Sequence, residues 1–165
     1  MYSKFGQFID GKWQPSEKNE TYEVINPATE EVIGNASKAT SADVDKALKS
    51  AEKGFEVWKK TQPWQRASII RKIADLIRKK NDVLAKWLTL EVGKPLAEGT
   101  GEVNGAADIF EWNSEETKRI YGQTVESRFE NTRVHVYYQP VGVVAALVPW
   151  NFPIILASRK ISTAL

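Results

Sequence analysis

The 165-residue sequence predicts an α/β fold, on three observations. Short alternating segments broken by turn residues open the chain. Helical periodicity then runs from about residue 40 to residue 120. Finally a nearly continuous apolar run, VGVVAALV at 141–148, precedes one more helical pattern.

FIDGKW reads as a hairpin turning on Asp10 and Gly11, residue types that tolerate positive φ. TYEVI and EEVIGNA read as two further strands, joined through Asn26 and Pro27. From Thr40 the period changes: Val44, Ala47, Leu48, Ala51, Phe55 and Trp58 mark a helix, with Thr40 and Asp43 spaced for a capping box. Pro63 opens a second helix through Ala67, Ile70, Ile73, Ala74 and Ile77. Val83, Leu84, Trp87 and Leu88 mark a third, with Gly93 as its C-cap. A fourth, from about Pro95 to Ile120, is expected to bury Val103, Ala106, Ala107, Phe110 and Thr117. QTVESR and RVHVYYQ around FENT then form a second hairpin, placing Val134, Val136 and Tyr138 on one side and Arg133, His135 and Tyr137 on the other. The 141–148 run has the pattern of a parallel strand covered on both faces. No second run of that kind is present, so the expected sheet is incomplete.

Hydrophobic residues make up 42% of the chain, enough for a real core, and a net charge of +2 is too small to point to nucleic acid or an anionic membrane. Arg71, Lys72, Arg78 and Lys79 repeat every seven residues and read as a solvated helical face. No long apolar stretch suggests a membrane span, and the opening MYSKFGQFIDGKW has no secretory pattern, so a cytoplasmic protein is expected. The cysteine count is zero. Disulfides, thiolate metal sites and a sulfur nucleophile are therefore excluded within these residues.

Gly99, Gly101 and Gly105 lie inside a helical pattern at the wrong spacing for a phosphate loop and read as close helix packing. His135 is the single histidine and belongs to a solvated strand; triads and histidine metal sites are not expected, and no metal is assigned. Asn151 is held in the stiff segment PWNFP, since proline restricts the residue before it to extended geometry. Such a loop after a parallel strand is where α/β folds place ligands. From the residues alone Asn151 either helps to cap the helix beginning near Pro153 or aims its amide at a developing negative charge.

VPWNFP after QPVGVVAAL, with EVGKPLAE, NPATEEVIG and FIDGKW in matching order upstream, resembles the amino-terminal part of the NAD(P)-dependent aldehyde dehydrogenase superfamily. The resemblance covers essentially the whole chain. EWNSEETKRIYGQT and the SRK after PWNFP are most similar to succinate-semialdehyde dehydrogenases. This implies a partial aldehyde dehydrogenase fold: N-terminal β-hairpins, a helical layer, a protruding hairpin, and the first parallel strand and helix of a Rossmann-like cofactor domain. Residues 1–165 would form an incomplete cofactor-binding domain, with the hairpin at 122–139 serving homo-oligomerisation.

In that family a cysteine thiolate attacks the aldehyde, hydride leaves to NAD or NADP, and water hydrolyses the thioester. The resemblance places Asn151 on the amide that stabilises the oxyanion. Val148, Pro149 and Trp150 fall on the lining of the cofactor cleft, and Lys160, on a family lysine near the active site, is expected to bind the cofactor with them, against the alternative of a structural role. Arg159 falls where it would grip the distal carboxylate of a small aldehyde substrate, against the alternative of an arginine on a wet helix flank. Lacking the thiolate, these residues are expected to be inactive alone; a non-catalytic interaction module derived from the family is the competing expectation.

Overall fold

The structure is a computed structural model describing residues 6–165; the first residues of the opening segment lie outside the described residues. β1 (Gln7–Ile9) and β2 (Lys12–Gln14) pair antiparallel with Phe8 opposite Trp13. Their turn is made by Asp10 and Gly11, with φ of 54° and 75°, as the residue types require. β3 (Thr21–Ile25) and β4 (Val32–Ser37) form the next hairpin, whose register shifts between Val24 and Ile25. Asn26 shapes the connection: its Oδ1 accepts the N–H of Ala28 at 2.9 Å.

Four helices follow: α1 (Ser41–Trp58), α2 (Pro63–Lys79), α3 (Asn81–Val92) and α4 (Leu96–Glu116), the last running into a 3-10 turn at Thr117–Arg119. The capping box on α1 forms in both directions, and Asp43 also accepts the N–H of Glu17 at 3.1 Å, tying the hairpin region to the helix. These donors, led by the backbone N–H of Thr40, hold the Asp43 carboxyl down at about 2. Gly93 ends α3 in the left-handed region at φ 78°.

α4 is the central helix, packed against α2, α3 and α5 (Pro153–Ala164). Its buried stripe is the expected one, Val103, Ala106, Ala107 and Phe110 with Thr117, joined by Gly99, Glu102 and Ser114. Ile70, Ala74 and Phe110 form one apolar cluster; Ala85, Leu88 and Val103 form the other, with Ile154 of α5 against it. Gly99 and Gly105 earn the packing reading: a Cβ at Gly99 would lie 3.0 Å from the Ala85 carbonyl, and one at Gly105 3.0 Å from Ile155 Cδ1. Gly101 does not, since nothing lies within 4 Å of its Cβ position. The basic face of α2 is exposed at Arg71, Lys72 and Lys79, as expected; Arg71 pairs with Glu111 at 2.8 Å, and the half-buried Arg78 pairs with Asp108 at 2.7 Å and with Glu111.

β5 (Gln123–Glu126) and β6 (Arg133–Val136) make the second hairpin, exposed along both strands. β6 stops at Val136, short of the expected Tyr138, because Val136 pairs with Gln123, the first residue of β5. The segment 141–148 departs furthest from expectation. It is no strand in this structure, and Val141 is 95% exposed. A strand exists only by pairing, and no edge among the described residues reaches this run. It borders a cavity of about 660 Å³ walled by Trp58 and Phe55 of α1 and by Ile161 of α5.

Candidate functional site

The segment PWNFP enters α5 through a turn at Trp150 and Asn151, and Pro153 occupies the first helical position, where its missing N–H costs nothing. Phe152 is the N-cap residue at φ −137°, ψ 64°, and no side chain of the loop caps the helix. The capping reading of Asn151 is therefore not what the structure contains. The cap comes from α4: Glu102 Oε1 accepts the N–H of Ile154 at 2.9 Å and of Ile155 at 3.2 Å.

Glu102 is itself paired with Lys94, the two side chains being 1% and 8% exposed. Lys94 Nζ also donates to the backbone carbonyl of Asn151 at 3.1 Å and sits 4.1 Å from the centroid of the Phe152 ring. Asn151 is thus fixed by its main chain, while its side chain is exposed and has no partner among the described residues. A backbone carbonyl held by a buried lysine beside an unengaged amide is an arrangement that suits a hydrogen-bond donor to a ligand.

Val148 is half-buried, Pro149 exposed and Trp150 79% exposed, so the loop presents an apolar surface beside Asn151. On α5, Ser158 and Ser162 turn toward α4, where Asn113 Nδ2 donates to Ser162 Oγ at 2.9 Å. Arg159 and Lys160 consequently lie on the exposed side. Lys160 Nζ donates to the carbonyl of Leu147 at 2.5 Å, a tether between α5 and the loop's approach. The Arg159 guanidinium has no acceptor among the described residues. His135 stays in the hairpin, 3.2 Å from Thr124 Oγ1.

Sequence reasoning missed the roles of Lys94 and Glu102. A signal for Glu102 was present: it falls four residues before Ala106 and eight before Phe110, so a carboxylate shares the apolar stripe of α4. Lys94 was visible only as part of EVGKPLAE, and nothing local shows that it reaches residue 151.

A family model described as the aldehyde dehydrogenase family matches residues 13–165. The chain belongs to the aldehyde dehydrogenase family. The glutarate-semialdehyde dehydrogenase of Pseudomonas aeruginosa is 41% identical over 96% of this chain and 33% of its own length. The NADP(+) succinate-semialdehyde dehydrogenase of Escherichia coli is 39% identical over 95% of this chain and 33% of its own. A betaine aldehyde dehydrogenase variant of Staphylococcus aureus, solved with NAD+, superposes with a TM-score of 0.91 at 32% identity, over 98% of this chain and 33% of that one. This aldehyde dehydrogenase chain therefore spans about a third of the length of the relatives it matches. Its mixed fold of small antiparallel hairpins and packed helices is that of the corresponding third. Among the described residues no helix is long and apolar enough to cross a membrane.

Proposed function

We propose that these residues are the amino-terminal part of an NAD(P)-dependent dehydrogenase that oxidises a small aldehyde bearing a distal carboxylate, with Asn151 donating its side-chain amide to the oxyanion. The observation that carries this is the state of Asn151: its carbonyl held by a buried lysine, its amide unengaged. A donor set in place beforehand does not reorganise as negative charge develops on the former aldehyde oxygen. The semialdehyde names of two relatives support a carboxylate-bearing substrate, and Arg159, whose planar guanidinium can grip a carboxylate through two parallel hydrogen bonds and which is free of ion pairs among the described residues, suits that carboxylate.

The exposed apolar surface of Pro149 and Trp150, with Val148 behind it, fits the side of a cofactor ring, whereas no glycine-rich phosphate loop occurs in these residues. Bound NAD or NADP would accept the hydride. The contribution of this chain is to orient the aldehyde, line the cleft and stabilise the oxyanion; Lys160 acts by holding Leu147, and hence the approach to the loop. With no cysteine in the sequence, the attacking thiolate belongs to a different stretch of polypeptide, and these residues alone are inactive. On this proposal the chain is part of a cofactor-binding domain of a cytoplasmic homo-oligomer.

The experiment joins this sequence in frame to the remaining two-thirds of the Pseudomonas aeruginosa relative and follows reduced-cofactor formation with a semialdehyde. Turnover that falls with Asn151→Ala supports the assignment, and unaltered kcat removes it. The separate 165-residue chain is expected to show none. A second reading, an assembly module, is favoured by the exposure of both β5 and β6, since a two-stranded ribbon offers free edges for pairing between subunits.

A further inference from the structure

We propose that Lys94 and Glu102 are positioning residues that set the placement of Asn151, a role that rests on the oxyanion reading above. A buried ion pair is seldom needed for stability, because well-packed apolar residues fill such space as well or better. The explanation for this one lies in where its remaining bonds go. Glu102 uses one oxygen on Lys94 and the other on the N–H groups of Ile154 and Ile155. Lys94 uses a proton on Glu102, another on the Asn151 carbonyl, and faces the Phe152 ring. The partners of the pair thus fall within residues 151–155, at Asn151 itself and in the first residues that follow it.

The local sequence explains why Lys94 can reach. Gly93 turns the chain in the left-handed region, and Pro95 is the N-cap residue of α4, so Lys94 occupies the short link between α3 and α4. Glu102 lies on the buried stripe of α4, two turns further along. Both groups are anchored in the helical layer, and together they hold the Asn151 carbonyl and the N–H groups of Ile154 and Ile155. Displacing a catalytic donor by about 1 Å can cost on the order of a hundredfold in rate. The pair therefore acts on the donor's position and touches no substrate atom itself.

Two measurements test this. In the 15N-labelled chain, Glu102→Ala should raise amide hydrogen exchange at Ile154 and Ile155 by about tenfold or more while Ala106 and Ala107 stay protected. Glu102→Gln, which keeps an acceptor oxygen, should restore most of that protection. Unchanged exchange in Glu102→Ala would overturn the proposal. In the joined enzyme, Lys94→Met should lower kcat by about tenfold with KM for the semialdehyde nearly constant, and should have almost no effect once Asn151 is already alanine. An equal loss in both backgrounds would show that Lys94 acts elsewhere and would overturn the proposal. Should Lys94→Met not fold, Lys94→Arg replaces it: the charge stays, the three-way geometry is altered, and the same dependence on Asn151 is expected. Asn151→Ala alone tests the oxyanion reading, so its silence is distinguishable from a failure of the positioning role.

Discussion

Glu102 and Ile154 are 52 residues apart in sequence, yet the carboxylate of the first accepts the backbone N–H of the second at 2.9 Å. A helix that begins with proline after a phenylalanine N-cap has unsatisfied N–H groups, and here a neighbouring helix satisfies them. Asn151 is thereby released from the capping duty that its place before α5 would suggest.

Replacing Asn151 with alanine should therefore leave the fold almost untouched, because no side-chain bond of Asn151 is present to lose among the described residues. The thermal midpoint of the variant is expected to match that of the parent. In the joined enzyme kcat should drop by roughly a hundred- to a thousandfold, the usual cost of removing one oxyanion donor. Steady-state kinetics beside a melting curve checks both halves.

Arg159→Leu should discriminate between substrates. If the guanidinium binds a distal carboxylate, KM for a semialdehyde rises by about tenfold or more, while a neutral aldehyde of similar length is nearly unaffected. The exposure of Arg159 and its lack of ion-pair partners among the described residues predict little change in stability. Parallel KM measurements on the two aldehydes decide the point; equal effects would remove the clamp.

Asp43 supplies a pH-dependent element of stability. Its folded-state value of about 2 lies below the unfolded value near 3.9. A depressed carboxyl stabilises the fold fully above the unfolded value and loses that contribution as pH falls toward the folded one. Asp43→Asn should therefore be clearly destabilised at pH 7, with the difference from the parent shrinking between about pH 4 and pH 2. Urea unfolding across that range, on both proteins, measures it.

Much of this architecture was legible because it is local. The turn at Asp10 and Gly11, the Thr40–Asp43 box, Pro63 at the start of α2 and the Gly93 cap each need only neighbouring residues, and each formed as read. The strand at 141–148 was misjudged for the opposite reason: an apolar run says what a segment would bury, and only a partner edge makes it a strand. Asn151 could be singled out by its prolines and family motif, but its tether could not. Lys94 and Glu102 converge on the loop through the packing of α4 against α5, a relationship with no sequence period.

Gly93→Ala offers a test of that link between local and distant structure. The glycine sits at φ 78°, and a Cβ there would lie 2.7 Å from Pro27 Cγ, in the connection between β3 and β4. Two costs are combined: the left-handed backbone, about 1 kcal/mol for a non-glycine residue, and the clash with a stiff ring. The single variant is expected to lose about 2–3 kcal/mol. Adding Pro27→Ala should recover the steric part and leave the backbone part, so the two substitutions together should be less destabilising than the sum of each alone. Because Gly93 also aims Lys94, the Gly93→Ala chain should show faster amide exchange at Ile154 than its global loss of stability accounts for. Denaturant titration of the four proteins in the cycle, with exchange on the single variant, separates the terms.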